Sequence, residues 1–369
     1  MPFANITKVF GIEDGLSRIL IVLLVFIYLL GELQLGRIWY QLSIELYIIL
    51  IGLLTSIIAL LFDKIDVSLL FNNFFKFIVL VSVYTVVNRR FMSFENFIKY
   101  YYVVFAFSLF VSLPLWVLFP VPEFVFYDGS EQRFGGLHFE LFNYCFSLCI
   151  ALCSWRYNEK SNLIGLVIFM TLGLMSGSNM FPIFALVFLI PKKILNLFRF
   201  RFFACISISL ICLMPVFIGF FLNELDFLVN FGLRSQSQFD AEGSSIFVRL
   251  FPYALAAEHM MTMGFHILLP SGLGSFEGSD LVMNTEHSYG GTGSPKAFID
   301  LGIVLFVLMI SCLAVKVSRG FQTWGSKKYI ILRLNLICIF FISFGAGFFN
   351  LVAWSILFMT IAWTEDKNE

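Results

Sequence analysis

Long apolar runs recur along the whole chain, and no other property of the sequence restricts its fold as strongly. A bilayer-spanning helix needs about 20 mostly apolar residues, and runs of that kind appear from the first 60 residues to the last 40. In lipid, every backbone N–H and C=O must be satisfied within the protein. Barrel strands would alternate apolar and polar residues with a period of two, and these runs do not alternate. The expected fold class is therefore all-α, a polytopic integral membrane protein forming a single transmembrane domain over residues 1–369. Charged residues make up 13% of the chain, against about 25% in a soluble domain. The deficit is spread along the full length, so a soluble domain on a short anchor is excluded. The net charge is zero and no basic run marks a nucleic-acid surface.

About eleven spans (10–12) are expected, at roughly 16–31, 44–62, 69–87, 98–119, 139–155, 162–176, 179–190, 202–222, 297–315, 329–345 and 350–363. The first run is followed by Gly31, Glu32 and Leu33, not by a small-x-small site, so it reads as a span and not a cleaved signal. Two of the longer apolar stretches must each fold back. Residues 162–190 are flanked by basic residues on both sides and offer Ser176-Gly177-Ser178-Asn179 as a turn; 329–363 offers Gly345-Ala346-Gly347. Basic clusters at Arg89/Arg90/Lys99, Arg156/Lys160, 192–201 and 316–328 mark cytoplasmic loops. The first 60 residues are ambiguous: counting spans back puts the N-terminus outside, whereas Lys8 and Arg18 favour the inside.

Two segments then face the periplasm of a bacterial inner membrane, a short loop at 120–138 and a large one at 223–296. Loops this long are usually functional. Within the second, Ser244-Ser245 precedes an apolar stretch from Ile246 through Pro252 to His266, read as a helix lying at the membrane interface and kinked at the proline. It ends at a turn, Pro270-Ser271-Gly272-Leu273-Gly274.

All four histidines, His138, His259, His266 and His287, fall in or beside these two segments. Imidazole titrates near neutrality and serves as a base; it is also amphipathic and tolerated at an interface, which is the plainer account of His138, His259 and His266. His287 lies in the polar, glycine-rich stretch Asn284-Thr285-Glu286-His287-Ser288-Tyr289-Gly290-Gly291, where a bare backbone can approach a ligand. Arg133, Arg234 and Arg249 form a second set. Guanidinium forks bind phosphate oxygens bidentately; each arginine can instead pair with a local carboxylate such as Glu131 or Glu242. Cys145, Cys149 and Cys153 share one helix face, as a metal or redox stripe or, more simply, as small residues at a helix seam. Glu224-Leu225-Asp226 offers two carboxylates to a divalent cation, but no metal or other cofactor is expected to be required. No run of ionisable residues sits mid-span, Lys76 and Arg333 being close to span ends where they can snorkel, and no broken helix or internal repeat is visible, which counts against an ion-coupled transporter.

The order of these features resembles the O-antigen polymerase and O-antigen ligase superfamily of bacterial membrane glycosyltransferases, from about residue 120 to the end. The resemblance is carried by Arg133-Phe134-Gly135-Gly136 before a span and by the hairpin tip Ser176-Gly177-Ser178-Asn179. It continues in Arg249 early in a helix followed by Gly272-Leu273-Gly274, and in Glu286-His287-Ser288 ahead of Phe298-Ile299-Asp300-Leu301-Gly302-Ile303. Two positions depart from the family pattern: Ser288 stands where asparagine is usual, and Asn179-Met180 replace an arginine often found at the hairpin tip. Polymerase and ligase are therefore not separated.

The resemblance implies a donor glycan on undecaprenyl diphosphate in the outer leaflet. An acceptor hydroxyl attacks the anomeric carbon and lipid diphosphate leaves. Arg249, Arg133 and Arg234 would neutralise the leaving group, without a metal. His287 would act as base or acceptor orienter, with Glu286, Gly272, Gly274 and His138 in support. The lipid-linked oligosaccharide, the bilayer, a chain-length regulator and a flippase are the implied partners. A ligase moving finished glycan to lipid A-core, and a flippase for the lipid-linked glycan, are the competing readings.

Overall fold

The computed structural model describes residues 43–62, 65, 67–88, 94–118, 125–128, 131–134, 141–158, 163–176, 180–224, 245–276, 293–345 and 348–365. Helices account for almost all of them. In chain order they are α1 (Ile44–Leu61), α2 (Val67–Asn88), α3 (Phe94–Leu118), α4 (Leu141–Asn158), α5 (Leu163–Met175) and α6 (Met180–Leu189). There follow the short α7 (Lys192–Leu195), α8 (Arg201–Glu224), α9 (Ser245–Met263), α10 (Ser294–Thr323), α11 (Lys328–Phe344) and α12 (Leu351–Glu365). The departure from helix is a two-stranded antiparallel hairpin in the 120–138 segment, β1 (Val125–Asp128) and β2 (Glu131–Phe134). Its register pairs Asp128 with Glu131 and leaves Gly129-Ser130 between them, an Asp-Gly hairpin signal that the helical reading of the sequence passed over.

Among the described residues, five helices are long and apolar enough to cross a membrane: Ile44–Leu61, Val67–Thr85, Asn96–Pro114, Arg201–Leu222 and Ser294–Thr323. This is a membrane protein. The ten expected segments from 44–62 onward each coincide with a helix, and five of them reach spanning length among the described residues. The two helices around the Ser176 turn have 13 and 10 residues, about 20 and 15 Å of helix, against a hydrocarbon core of about 30 Å. The expected span at 16–31 lies outside the described residues.

At the centre of the bundle stand α10 and α11. Helix α10 packs on α1, α8, α9, α11 and α12, and α11 packs on α4, α6, α8 and α12. Their contacts are dense and largely aromatic: Phe146 of α4 stacks on Phe341 of α11 with ring centroids 3.8 Å apart. The cysteine stripe of α4 is a helix seam, with Cys145, Cys149 and Cys153 fully buried and the Cys145 thiol 3.3 Å from the Ser176 hydroxyl at the α5–α6 turn.

One end of the bundle gathers the basic residues. The Arg199 carbonyl accepts hydrogen bonds from Ser318 and Gln322, Tyr329 donates to Asn196, and Arg333 reaches the Ile190 carbonyl. Near this basic end, α1 and α10 are joined by an ion pair, Lys316 Nζ to Glu45 Oε2 at 2.7 Å, with Glu45 wholly buried. Helices α1 and α10 are therefore antiparallel, and α10 begins at the opposite, far end.

Helix α10 is not continuous. At Gly302 the backbone turns to φ 70°, ψ 162°, so Ser294–Leu301 is a half-helix set against a longer one from Ile303. A side chain at Gly302 would run into the Leu269 backbone, and glycine alone combines this dihedral with that approach. The sequence reading, which saw no broken helix, missed this one: a single glycine in an apolar run carries no signal distinguishing a break from a packing contact.

Candidate functional site

The break in α10 is the place from which the far end is organised. A helix that stops at residue 301 leaves its last carbonyls without partners four residues on. The Asp300 carbonyl is taken up instead by the N–H groups of Ser271 (3.1 Å) and Gly272 (3.0 Å). The Asp300 carboxylate, fully buried, collects the next donors. Its Oδ2 accepts the Gly274 N–H at 2.9 Å; its Oδ1 accepts the Ser275 hydroxyl at 3.0 Å and the Phe276 N–H at 3.2 Å.

Leu273 completes the anchoring. Its N–H donates to the Gly52 carbonyl at 3.2 Å, and its carbonyl accepts from Ser56 Oγ and Asn73 Nδ2, each at 3.1 Å. Segment 271–276 thus threads between α1, α2 and the half-helix. Gly52 lies roughly 13 Å from the Leu61 end of α1, and Asn73 about 9 Å from the Val67 start of α2. The irregular chain therefore sits well inside the bundle. Non-helical backbone is tolerated at such a depth only when protein satisfies it, and these hydrogen bonds do so.

Helix α9 brings the chain to that depth. It packs along α8, where Gly219 has no room for a side chain beneath the Tyr253 carbonyl, and it buries Ala254, Leu255, Ala256, Ala257 and Met260. After α9 a 3-10 turn (Gly264–Leu268) leads into the threaded segment, and the His259 and Phe276 rings meet at 5.8 Å across the descending and returning arms. Phe265, 91% exposed, and Leu269, 66% exposed, are apolar side chains on the outside of the tip. The unit is re-entrant. The helix expected over this stretch runs from Ser245 to Met263 with Pro252 inside it, and it packs on α8.

Two contacts bring this unit and the chain that precedes α10 to one place. Tyr253 donates its hydroxyl to the Phe344 carbonyl at 2.9 Å, and Gly293 is pressed on the neighbouring Ser343 carbonyl, where a side chain would collide. Both contacts are with the last turn of α11. The half-helix then starts at Ser294 with Pro295 in its first turn, a position where a missing N–H costs nothing. Ser294 is fully buried, its hydroxyl without a partner among the described residues, and Lys296, 9% exposed, sits in the same turn. A helix N-terminus carries partial positive charge, and the lysine adds to it.

Of the residues singled out by sequence, Gly272 and Gly274 belong to the threaded segment, with φ of 105° and 96°. The turn expected over 270–274 is present, with the Ser275 N–H on the Gly272 carbonyl at 3.1 Å, and both glycines are buried: a Cβ on Gly272 would lie 2.8 Å from Ser56 Cα. Arg249 lies on α9 one turn before Tyr253, at the head of the same unit. Arg133 lies on β2 opposite Phe126, and β2 rests against α5, a different part of the molecule. Arg234, Glu286, His287 and His138 lie outside the described residues, as does Asp226 of the acidic pair. His259 is half-buried, and desolvation lowers its pKa below the ordinary value of 6.5.

Asp300, Lys296, Ser56 and Asn73 were not recognised from sequence. The available signal was an aspartate two residues before a glycine inside an apolar run. No protein-family model, curated protein or solved structure matches this chain.

Proposed function

We propose that this chain is a membrane glycosyltransferase of the O-antigen polymerase type, joining oligosaccharide units carried on undecaprenyl diphosphate. The observation that carries the reading is the arrangement at the far end: a re-entrant helix headed by Arg249 and a half-helix N-terminus with Ser294 and Lys296. Both are pinned to the last turn of α11. His287 is seven residues from Ser294, so its Cα lies within about 25 Å of that N-terminus by chain length alone. By the positive-inside rule the basic end faces the cytoplasm, which turns the far end toward the periplasm of an inner membrane.

In this mechanism the acceptor hydroxyl attacks the anomeric carbon, the carbon–oxygen bond to the diphosphate breaks, and the hydroxyl proton passes to a base. His287 is that base, with Glu286 orienting it and His138 in support. Charge grows on the departing diphosphate, where Arg249 and Arg234 stabilise it, Arg133 standing apart with β2 on α5; a well-aimed donor is typically worth about 3 kcal/mol. Guanidinium groups here do what a divalent cation does in other lipid-linked transferases. Gly272 and Gly274 serve by letting the re-entrant segment seat against α1 and α2 respectively. A flippase would supply the substrate, and a chain-length regulator would set the product.

Arg249→Ala or His287→Ala, in a strain making the polymer, is expected to collapse the surface-glycan ladder to one repeat. Normal ladders from correctly inserted variants overturn the proposal. Deletion distinguishes a ligase, whose loss leaves long glycan on the lipid carrier, from a polymerase, whose loss leaves one unit on the core. Transport is the second reading, favoured by the break in α10, since discontinuous helices line the sites of many transporters. Purified protein that joins repeat units in liposomes without a second protein excludes transport alone.

A further inference from the structure

At the basic end a cavity of about 620 Å³ opens between the 192–200 turn, the end of α10 and the start of α11. Lys193, Arg199 and Lys328 line it, with Asn196, Gln322 and Tyr329 among the polar groups between them. Among the described residues no carboxylate pairs with any of the three cations. Their neighbours are aromatic: Lys328 Nζ stands 5.1 Å from the Phe321 ring and 5.3 Å from that of Tyr329, and Arg199 lies 4.5 Å over Phe200. The walls are fixed. Tyr329 donates to Asn196 Oδ1 at 2.8 Å, and Gln322 holds the Arg199 carbonyl at 2.9 Å. Three like charges around one polar cavity repel one another, and an anion relieves that repulsion.

The lip of the cavity is apolar. Leu197 and Phe200 line it and are exposed, and the exposed face of α8 continues from there through Phe202, Ile206, Leu210 and Met214, spaced at four residues. That spacing makes one stripe along a helix. An anion with an acyl tail fits the two together, its phosphate among the cations and its chain along the stripe. We propose that this cavity binds the phosphate headgroup of an anionic phospholipid of the bilayer. The site is at the opposite end from the proposed transferase centre and stands independently of that reading. Basic pockets between spanning helices are where such headgroups are held.

Native mass spectrometry of the delipidated full chain in detergent tests this with three probes: phosphatidylglycerol, phosphatidylcholine and inorganic phosphate. Phosphatidylglycerol is expected to bind more tightly than phosphatidylcholine and to resist millimolar inorganic phosphate. Each cation removed is expected to weaken it about fivefold, so Lys193→Gln/Arg199→Gln/Lys328→Gln together weaken it roughly a hundredfold, while Lys99→Gln on α3 leaves it unchanged. Equal retention of the two lipids, displacement by inorganic phosphate, or an unaffected triple variant overturns the proposal. Should the triple variant melt differently from wild type without lipid, Lys193→Gln alone decides, by the same fivefold loss or its absence.

Discussion

Gly274 donates its backbone N–H to a carboxylate oxygen of Asp300 at 2.9 Å, across a break in the helix that carries the aspartate. With Ser275 and Phe276 on the other oxygen, one buried side chain closes three donors of an irregular segment that has no water to turn to.

Asp300→Ala strands those donors. A buried donor left without a partner costs about 1–3 kcal/mol, so a loss of about 3 kcal/mol or more is expected, read as a large drop in melting temperature and yield in detergent. A variant that melts like wild type would show that the carboxylate does not anchor the re-entrant segment.

Two positive-φ glycines separate backbone strain from steric fit. Gly272→Ala meets both, with φ 105° and Ser56 Cα 2.8 Å from the new Cβ, whereas Gly264→Ala has φ 54° and open space around it. Strain at a left-handed position costs about 1–3 kcal/mol, and the collision adds to it only at residue 272. Thermal unfolding should rank Gly272→Ala well below Gly264→Ala; equal losses contradict the close approach of this segment to α1.

The Glu45–Lys316 pair joins α1 to α10 with the carboxylate fully buried. Lys316→Met leaves that charge without its partner, a defect of about 3–5 kcal/mol for a buried pair. Adding Glu45→Gln should recover much of the loss. A double variant no more stable than Lys316→Met argues that the pair is not coupled.

Phe265, 91% exposed in the 3-10 turn at the tip of the re-entrant unit, is expected to touch lipid. A spin label on Phe265→Cys should collide more often with dissolved oxygen than with a water-soluble nickel chelate. The reverse ordering would mean that the tip lies in water and that α9 does not descend into the bilayer.

The helical framework was legible in the sequence because lipid demands long apolar runs: the ten expected segments from 44–62 onward all fall on helices. Both fold-back points were readable too, since Ser176 and Gly345 end helices where small and polar residues interrupt apolar stretches. The far end was not readable. Ser56, Asn73 and Asp300 look like ordinary polar substitutions within spans, and their common partner, segment 271–276, is remote in sequence from the first two. Burial of Gly272 and Gly274 follows from that pairing, and no local pattern encodes it. Arg249 heads the re-entrant unit, whereas Arg133 rests with β2 on α5, a separation that a motif order along the chain does not disclose.

Ser56 and Leu273 are 217 residues apart, and this spacing sets a schedule for biogenesis. At about 5–20 residues per second of synthesis, α1 and α2 wait roughly 10–40 s before their occupant emerges from the ribosome. Throughout that interval the hydroxyl of Ser56 rests on the Gly52 carbonyl of its own helix, 2.8 Å away, while the amide of Asn73 must find a provisional partner, in lipid headgroups or in the insertion machinery. The last step of assembly is then the seating of a late loop into an early groove, and a truncated chain ending before residue 271 would be inserted yet never locked.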